Sequence, residues 1–502
     1  MTGPFDIALL IAASVLLVAV AAVRLSTRLG LPSLLVYLGI GMAIGEAGLG
    51  IRFEDAELTR TLGIAALVVI IAEGGLTARW STLRPVLPLA SALATVGVAI
   101  SVAVVAAVAH YGLGMDWQLA LLYGAVLSPT DAAAVFSTLR RLRLRPRLVA
   151  ALEAESGLND APVVLLVVLL SAAAPWQRSP AVELLAIGFE LVAGAAVGAL
   201  VGAGGAWLLR RAALPAAGLY PLAVIGLTVL AYAAGTVLHA SGFLAVYVAG
   251  VILGNARLPH RRAVLGFADG LAWTAQIGLF VLLGLLVSPD RLGTALLPAL
   301  AIGLTLALVA RPVSVLGSTV LPGTGPLLGW RDQAFLSWAG LRGAVPIVLA
   351  TIPLSTRLPG GEELFDVVFV LVVVFTVLQG TTLPWTARRL RVTAPAEPSE
   401  LRVESAPLED ASADLLHVEV PEGSRLVGAY VDDLRLPTGA VVTLVARAGQ
   451  RFVPGAYTRL RTGDSLLIVA TADCRDEAER RLRAVSRYGR LAAWRRRTAE
   501  SD

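Results

Sequence analysis

The chain has 502 residues, of which 57% are hydrophobic and only 15% charged, with a formal net charge of +5 and a mean hydropathy of +0.77. Soluble domains carry about a quarter charged residues, so this composition excludes a soluble globular enzyme, a disordered chain and a secreted disulfide scaffold, and indicates an all-α polytopic membrane protein. Of the 77 charged residues, 46 lie in the first 400 positions and 31 in the last 102. A membrane body over 1–391 is therefore expected, then a linker over 392–413, a small α+β domain over 414–490 and a basic tail over 491–502.

A membrane-crossing helix takes about 20 apolar residues. Thirteen segments qualify: 4–24, 32–48, 58–78, 85–110, 117–140, 148–172, 181–209, 216–236, 238–256, 263–288, 293–318, 331–354 and 362–386. The first lacks a basic stretch before it and reads as a retained span rather than a cleaved signal. The eighth and ninth are divided only by the Leu238–Gly242 region, which leaves twelve as the alternative. All 41 basic residues are arginine, and in a membrane protein that excess is read as topology before nucleic-acid binding. With thirteen spans, alternate connections carry eighteen arginines on one side and four on the other. The positive-inside rule then puts the N-terminus outside and the C-terminal domain in the cytoplasm.

Thirteen divides as six, one and six. The fifth span of each six is broken by proline and glycine, at Leu127-Ser128-Pro129-Thr130-Asp131 and at Leu341-Arg342-Gly343-Ala344-Val345-Pro346. Interrupted spans at matching positions of two halves point to the binding site of an inverted-repeat transporter. Pro129 disturbs the carbonyl near Ala125, and carbonyls freed at such a break can coordinate a cation.

Ionisable groups inside spans are costly and mark function. Six stand out here: Glu73, Asp131, Glu155, Asp160, Arg311 and Arg342. Ser156, Asn159 and Asp160 are spaced i, i+3, i+4 and share one helix face. A carboxylate, an amide and a hydroxyl together suit a hard monovalent cation. A carboxylate also takes a proton, so one site holds either ion but not both; the bland alternative is that Asp160 only pairs with an arginine. Asp131 either caps the half-helix that follows it or ligates a cation. Arg342 needs a carboxylate, and Glu155, about 100° round the helix from Ser156, is the expected structural partner; Arg311 is placed either with Glu153 or with the last turns of a neighbouring helix. Glu73, before Gly74-Gly75, either lines an ion path or is an interfacial acid. The four histidines have no metal-ligand spacing and are expected in loops or at helix ends. Trp176, Trp207, Trp330 and Trp385 lie near span ends, as an aromatic belt would.

At these residues the sequence resembles a known family. Ser128-Pro129-Thr130-Asp131-Ala132-Ala133-Ala134-Val135-Phe136, Glu155-Ser156-Gly157-Leu158-Asn159-Asp160 and Gly340-Leu341-Arg342-Gly343-Ala344 are similar to the signatures of bacterial CPA1-type monovalent cation/proton antiporters. The resemblance covers about residues 5–390 and continues into the tail, which resembles half of a potassium-channel-regulator domain, a combination typical of the potassium/proton branch. It implies a homodimer in the bacterial inner membrane, exchanging K⁺ or Na⁺ for H⁺ without a cofactor. It implies that Asp160 carries the exchanged ion, that Ser156, the Thr130 backbone and Glu73 assist, and that Glu155 and Arg342 form a structural ion pair. The Asn159-Asp160 form implies electroneutral one-for-one exchange, and the family implies elevator-type alternating access. Relatives often extend into a further C-terminal domain, which this sequence does not reach.

In the tail, Leu415–Val420, Val441–Ala446 and Leu466–Ala470 read as strands separated by Pro- and Gly-bearing turns, and 475–490 as a charged helix before Arg495-Arg496-Arg497. The domain is either a small solvated fold or a ligand-sensing dimer module; the single cysteine, Cys474, has no internal disulfide partner. Three rival functions are a sodium/proton exchanger on the same fold, a ligand-gated cation channel and an intramembrane aspartyl protease. No repeated carbonyl filter supports the channel, and no Gly-x-Gly-Asp sequence supports the protease.

Overall fold

A computed structural model describes residues 13–22, 33–46, 55–139, 144–172, 179–212, 214–321, 328–394, 402–408, 413–447, 449–471 and 473–489, with a few single positions between them. The chain forms two compact units, Met1–Thr393 and Ala394–Asp502.

The first unit is helical. Its elements are α1 Ala13–Ala22, α2 Ser33–Ile44, α3 Ala56–Thr77 and α4 Leu87–Leu113, then α5 Trp117–Leu127, α6 Ala132–Thr138 and α7 Pro146–Leu170. They continue with α8 Pro180–Arg211, α9 Leu219–Val237, α10 Gly242–Asn255, α11 Arg261–Leu285 and α12 Asp290–Thr319. The last three are α13 Trp330–Trp338, α14 Ala344–Ser355 and α15 Gly361–Arg389. Seven of these are long and apolar enough to cross a membrane, namely α3, α4, α8, α9, α11, α12 and α15. Among the described residues, each of the thirteen apolar segments contains a helix or a pair of half-helices.

The helix starts follow local chemistry. Asp55 caps α3, accepting from the Leu58 N–H, and Asp116 caps α5 through the Gln118 N–H, each satisfying a first-turn donor. Proline opens α7 and α8, where its missing N–H costs nothing. Arg388 and Arg389 close α15, as the helix dipole favours. Helices approach closely where side chains are small: Gly194, Gly198 and Gly202 of α8 lie against the backbone of α10 at Ser241, Ala245 and Ala249. The buried interior centres on α5, α14 and α15, with Tyr123, Leu127, Ile347, Phe365 and Phe369 at most 2% exposed.

Two features escape the sequence pattern. α4 and α12 each contain one π-helical stretch, at Leu93–Gly97 and Leu306–Ala310. They fall in the fourth span of each six, and the two helices meet there: Ser318 Oγ donates to the Ala92 carbonyl at 3.3 Å. π turns of this kind concentrate at functional sites. Trp207, Trp330 and Trp385 are exposed near helix ends; Trp176 lies outside the described residues.

The second unit holds an antiparallel sheet in the order β1-β2-β5-β3-β4, formed by β1 Arg402–Leu408, β2 Ala413–Glu419, β3 Ala440–Arg447, β4 Gln450–Phe452 and β5 Ser465–Thr471, with α16 Arg475–Tyr488 after it. Leu416, Val418, Leu466, Ile468 and, from α16, Leu482 and Val485 make its core. β1 is a correction to the linker expected over 392–413. Its Pro and Ser content suggests a turn-rich segment, yet it pairs along its whole length with β2 at the sheet edge, where proline is tolerated. His417 is a second correction: it sits within β2, bonded to the Ser465 hydroxyl, not in a loop or at a helix end. Arg495-Arg496-Arg497 lie outside the described residues.

Candidate ion-binding site

The two broken spans meet each other. α5 stops at Leu127 and α6 starts at Ala132; α13 stops at Trp338 and α14 starts at Ala344. Between them the Asp131 N–H donates to the Leu341 carbonyl at 2.8 Å, and Arg342 Nε donates to the Leu127 carbonyl at 2.9 Å. Arg342 also donates to the Gly340 carbonyl, and Thr376 of α15 donates to the carbonyl of Arg342 at 3.1 Å. The half-helix ends thus satisfy one another inside the bundle, as unpaired backbone in a membrane must. The Ala125 carbonyl is taken by the N–H and hydroxyl of Ser128, so it is not a free ligand of the kind expected from Pro129.

Gly343 makes the crossing tight. A Cβ there would fall 1.6 Å from Asp131 Oδ2. Asp131 Oδ1 meanwhile accepts from the Ala134 N–H at 3.2 Å, so Asp131 caps α6.

α7 lays its Ser156–Asn159–Asp160 face on this crossing. Asn159 Nδ2 donates to Thr130 Oγ1 at 2.9 Å, and Ser156 Oγ accepts from the Ala132 N–H at 3.3 Å. Thr130, Asn159 and Asp160 are buried. Asp160 Oδ1 and Asn159 Oδ1 have no hydrogen-bond partner. Asp131 is the carboxylate that acts on Asp160. Two unmet oxygens in a buried polar site are costly unless something positive fills it. Gly157, between Ser156 and Asn159, lets the Tyr247 ring pack onto α7.

The expected ion pair is corrected. Glu155 pairs with Arg311, not with Arg342: NH1 meets Oε1 at 2.6 Å and NH2 meets Oε2 at 3.2 Å, all buried. Arg311 is therefore not the partner of Glu153, whose side chain is exposed. Arg342 stands in the field of both Glu155 and Arg311, but its bonds go to carbonyls. The physical reason is position: Arg311 follows the π turn of α12 directly, and that turn brings its planar fork onto Glu155 in the bidentate geometry that arginine and carboxylate prefer.

Glu73 is half-buried on α3, and the carboxylates that act on it are Asp269 and Glu153. Glu153 lies two turns before Asp160, about 10 Å along the helix. Among the described residues no hydrogen bond or ion pair links Glu73 to the Thr130–Asp160 cluster. Sequence reasoning passed over Asp332, which takes Arg145 at 3.0 Å and ties the start of α7 to α13, and also over Asp366. Both lie inside the apolar segments 331–354 and 362–386, where an acid is costly, but each stands near its segment's start beside other charged residues.

Comparison with known proteins follows the same division. Residues 13–389 match the model of the sodium/hydrogen exchanger transmembrane family, and residues 415–483 match the TrkA-C domain. The chain is 37% identical over 470 residues to the K⁺/H⁺ antiporter NhaP of Alkalimonas amylolytica, covering 92% of this chain and 81% of that one. It is 37% identical over 468 residues to the K⁺/H⁺ antiporter NhaP2 of Shewanella oneidensis, covering 92% and 80%. The Na⁺/H⁺ antiporter ApNhaP of Aphanothece halophytica is 28% identical over 365 residues, 68% of each chain. Among solved structures, the sodium proton antiporter MjNhaP1 from Methanocaldococcus jannaschii superposes with a TM-score of 0.67 at 21% identity, over 77% of this chain and 99% of that one, a likeness of fold.

Proposed function

The chain belongs to the sodium/hydrogen exchanger family and is a multi-pass membrane transporter with a C-terminal TrkA-C domain; from that premise we propose that it exchanges K⁺ for H⁺, with the two ions competing at Asp160. The observation that carries this reading is the unpartnered Oδ1 of buried Asp160 at the crossing of the two broken helices.

Charge arithmetic supports the stoichiometry. Asp131, Glu155, Asp160, Arg311 and Arg342, all ionised, leave one net negative charge. One cation or one proton balances it, and each swap of one for the other leaves the protein's charge unchanged, which makes the exchange electroneutral. Oxygens of Asp160, Asn159, Ser156 and Thr130 would hold the cation, a donor set suited to a hard ion. Asp131 keeps its capping bond and contributes through its charge. Glu73 lines the approach together with Glu153 and Asp269. The Glu155–Arg311 pair holds α7 to α12.

Potassium is preferred as the cargo because the 37% identical relatives are named K⁺/H⁺ antiporters. Sodium is the second reading, favoured by the name of the more distant ApNhaP. The remaining parts of the reading are a homodimer in the bacterial inner membrane, elevator-type alternating access, an external N-terminus, and a cytoplasmic C-terminal domain that binds a small ligand.

The test uses purified protein in vesicles that hold a pH-sensitive dye, pulsed in turn with K⁺ and Na⁺. A K⁺ response that survives clamping the voltage at zero supports electroneutral K⁺/H⁺ exchange. A response to Na⁺ alone moves the protein to sodium, and a conductance in place of exchange removes the reading.

A further inference from the structure

Away from the crossing, one other carboxylate among the described residues has a buried oxygen without a partner. Asp366, in the second turn of α15, is 4% exposed. Its Oδ2 meets Arg291 Nε of α12 at 3.0 Å, and the same guanidinium reaches Glu362 Oε2 at 2.8 Å. Asp366 Oδ1 meets no donor and is closed to solvent. The hydroxyl of Tyr123 on α5 is also buried and without a partner, and it lies in the field of Glu363 and Asp366. Asp366 stands beside a cavity of about 640 Å³ at the start of α12 and α15, whose other charged lining residues are Arg291, Arg357, Glu362 and Glu363.

One guanidinium shared by two carboxylates cannot neutralise both. A buried carboxylate oxygen left unmet is costly. A proton on Oδ1 removes the excess charge and turns an orphan acceptor into a donor.

We propose that Asp366 is a second proton-binding site, separate from Asp160, at the end of the bundle where α12 and α15 begin. The groups that face it are Arg291 from α12, Glu362 and Glu363 from α15, Tyr123 from α5 and Arg357 from the α14–α15 connection. With the proton on, Arg291 is left to Glu362 and its hold on the buried part of α15 weakens. Ten residues further along the same helix, about 15 Å, Thr376 bonds the Arg342 carbonyl at the crossing. Occupancy at Asp366 therefore bears on the helix that supports the ion site. The consequence for transport rests on the exchange function proposed above; the proton site itself does not.

Infrared difference spectra of the purified full chain across a pH titration read protonated carboxyl groups directly. A protonated-carboxyl band is expected that Asp366→Asn loses, Arg291→Gln shifts and Asp160→Asn keeps. Spectra of Asp366→Asn that match the native protein at every pH overturn the site. If Asp366→Asn does not fold, an unmoved band set in Arg291→Gln, which removes the guanidinium that Asp366 Oδ2 meets, overturns it. Exchange in vesicles is read separately: Asp366→Asn should still exchange with a displaced pH profile, and an unchanged profile overturns the link to transport. Absence of exchange in the native protein would remove the proposed function and leave the infrared result to stand on its own.

Discussion

At the scale of single residues, the decisive distinction is between charges that are matched and charges that are not. Glu155 and Arg311 are matched by two short bonds in a buried setting. Removing one member of such a pair leaves an uncompensated buried charge, at a cost of about 3–5 kcal/mol. Arg311→Ala should therefore lower the midpoint of thermal unfolding strongly, and Arg342→Ala, whose loss strands only carbonyls, should lower it less. Fluorescence-monitored melting in detergent compares the two, and an equal or reversed order contradicts the assignment. That the polar residues of α7 share one face was legible in the sequence. The i, i+3, i+4 spacing placed Ser156, Asn159 and Asp160 on one face, and the structure brings Asn159 onto Thr130 as well. The partner of Glu155 was not legible. Helical spacing fixes the direction in which Glu155 points, but not which neighbouring helix stands there, and Arg311 depends on a π turn that hydrophobic periodicity does not reveal.

At the scale of elements, the two breaks work as one joint. Proline and glycine in the matching spans predicted both interruptions, and the backbone bond from Asp131 to Leu341 fastens them together. Gly343 sits where a Cβ would collide with the side chain that caps α6. Gly343→Ala should push Asp131 off its cap, at about 0.5–2 kcal/mol, and slow exchange. In an Asp131→Ala background, where neither the cap nor the Oδ2 and Cγ nearest Gly343 remain, the same alanine should cost much less. A double-mutant cycle in melting temperature checks this, and strict additivity of the two changes would contradict the collision. β1 shows the opposite limit of sequence reading. Seven residues of mixed composition look like linker in isolation and become a strand only because β2 offers a partner, a tertiary effect that outweighs propensity.

At the scale of the whole molecule, a membrane transporter and a small α+β unit are joined in one chain. The step in charge density near residue 400 already marked that division. The second unit carries its own pH sensitivity. Burial alone pushes the Asp464 carboxyl up, but hydrogen bonds from Arg447 and from the Arg461 N–H outweigh it and hold the group below the usual carboxylate range. The unfolded chain titrates Asp464 near about 3.9, and the folded chain at lower pH. The stabilisation is thus complete above the unfolded value and is lost as pH falls through the folded one. Acid melting of the full chain, followed by a probe in the C-terminal unit, should show this loss, and Asp464→Asn should flatten it. An unchanged acid limb in that variant contradicts the role of the pair.

The central claim is that one carboxylate at the crossing holds either a proton or a cation. The most direct measurement is proton release on cation binding: K⁺ is added to purified protein in weakly buffered detergent solution, and bound cation and released protons are counted together. One proton released per cation bound is expected, with both lost in Asp160→Asn while the variant remains folded. Cation binding that releases no proton, or that persists unchanged in Asp160→Asn, would contradict it.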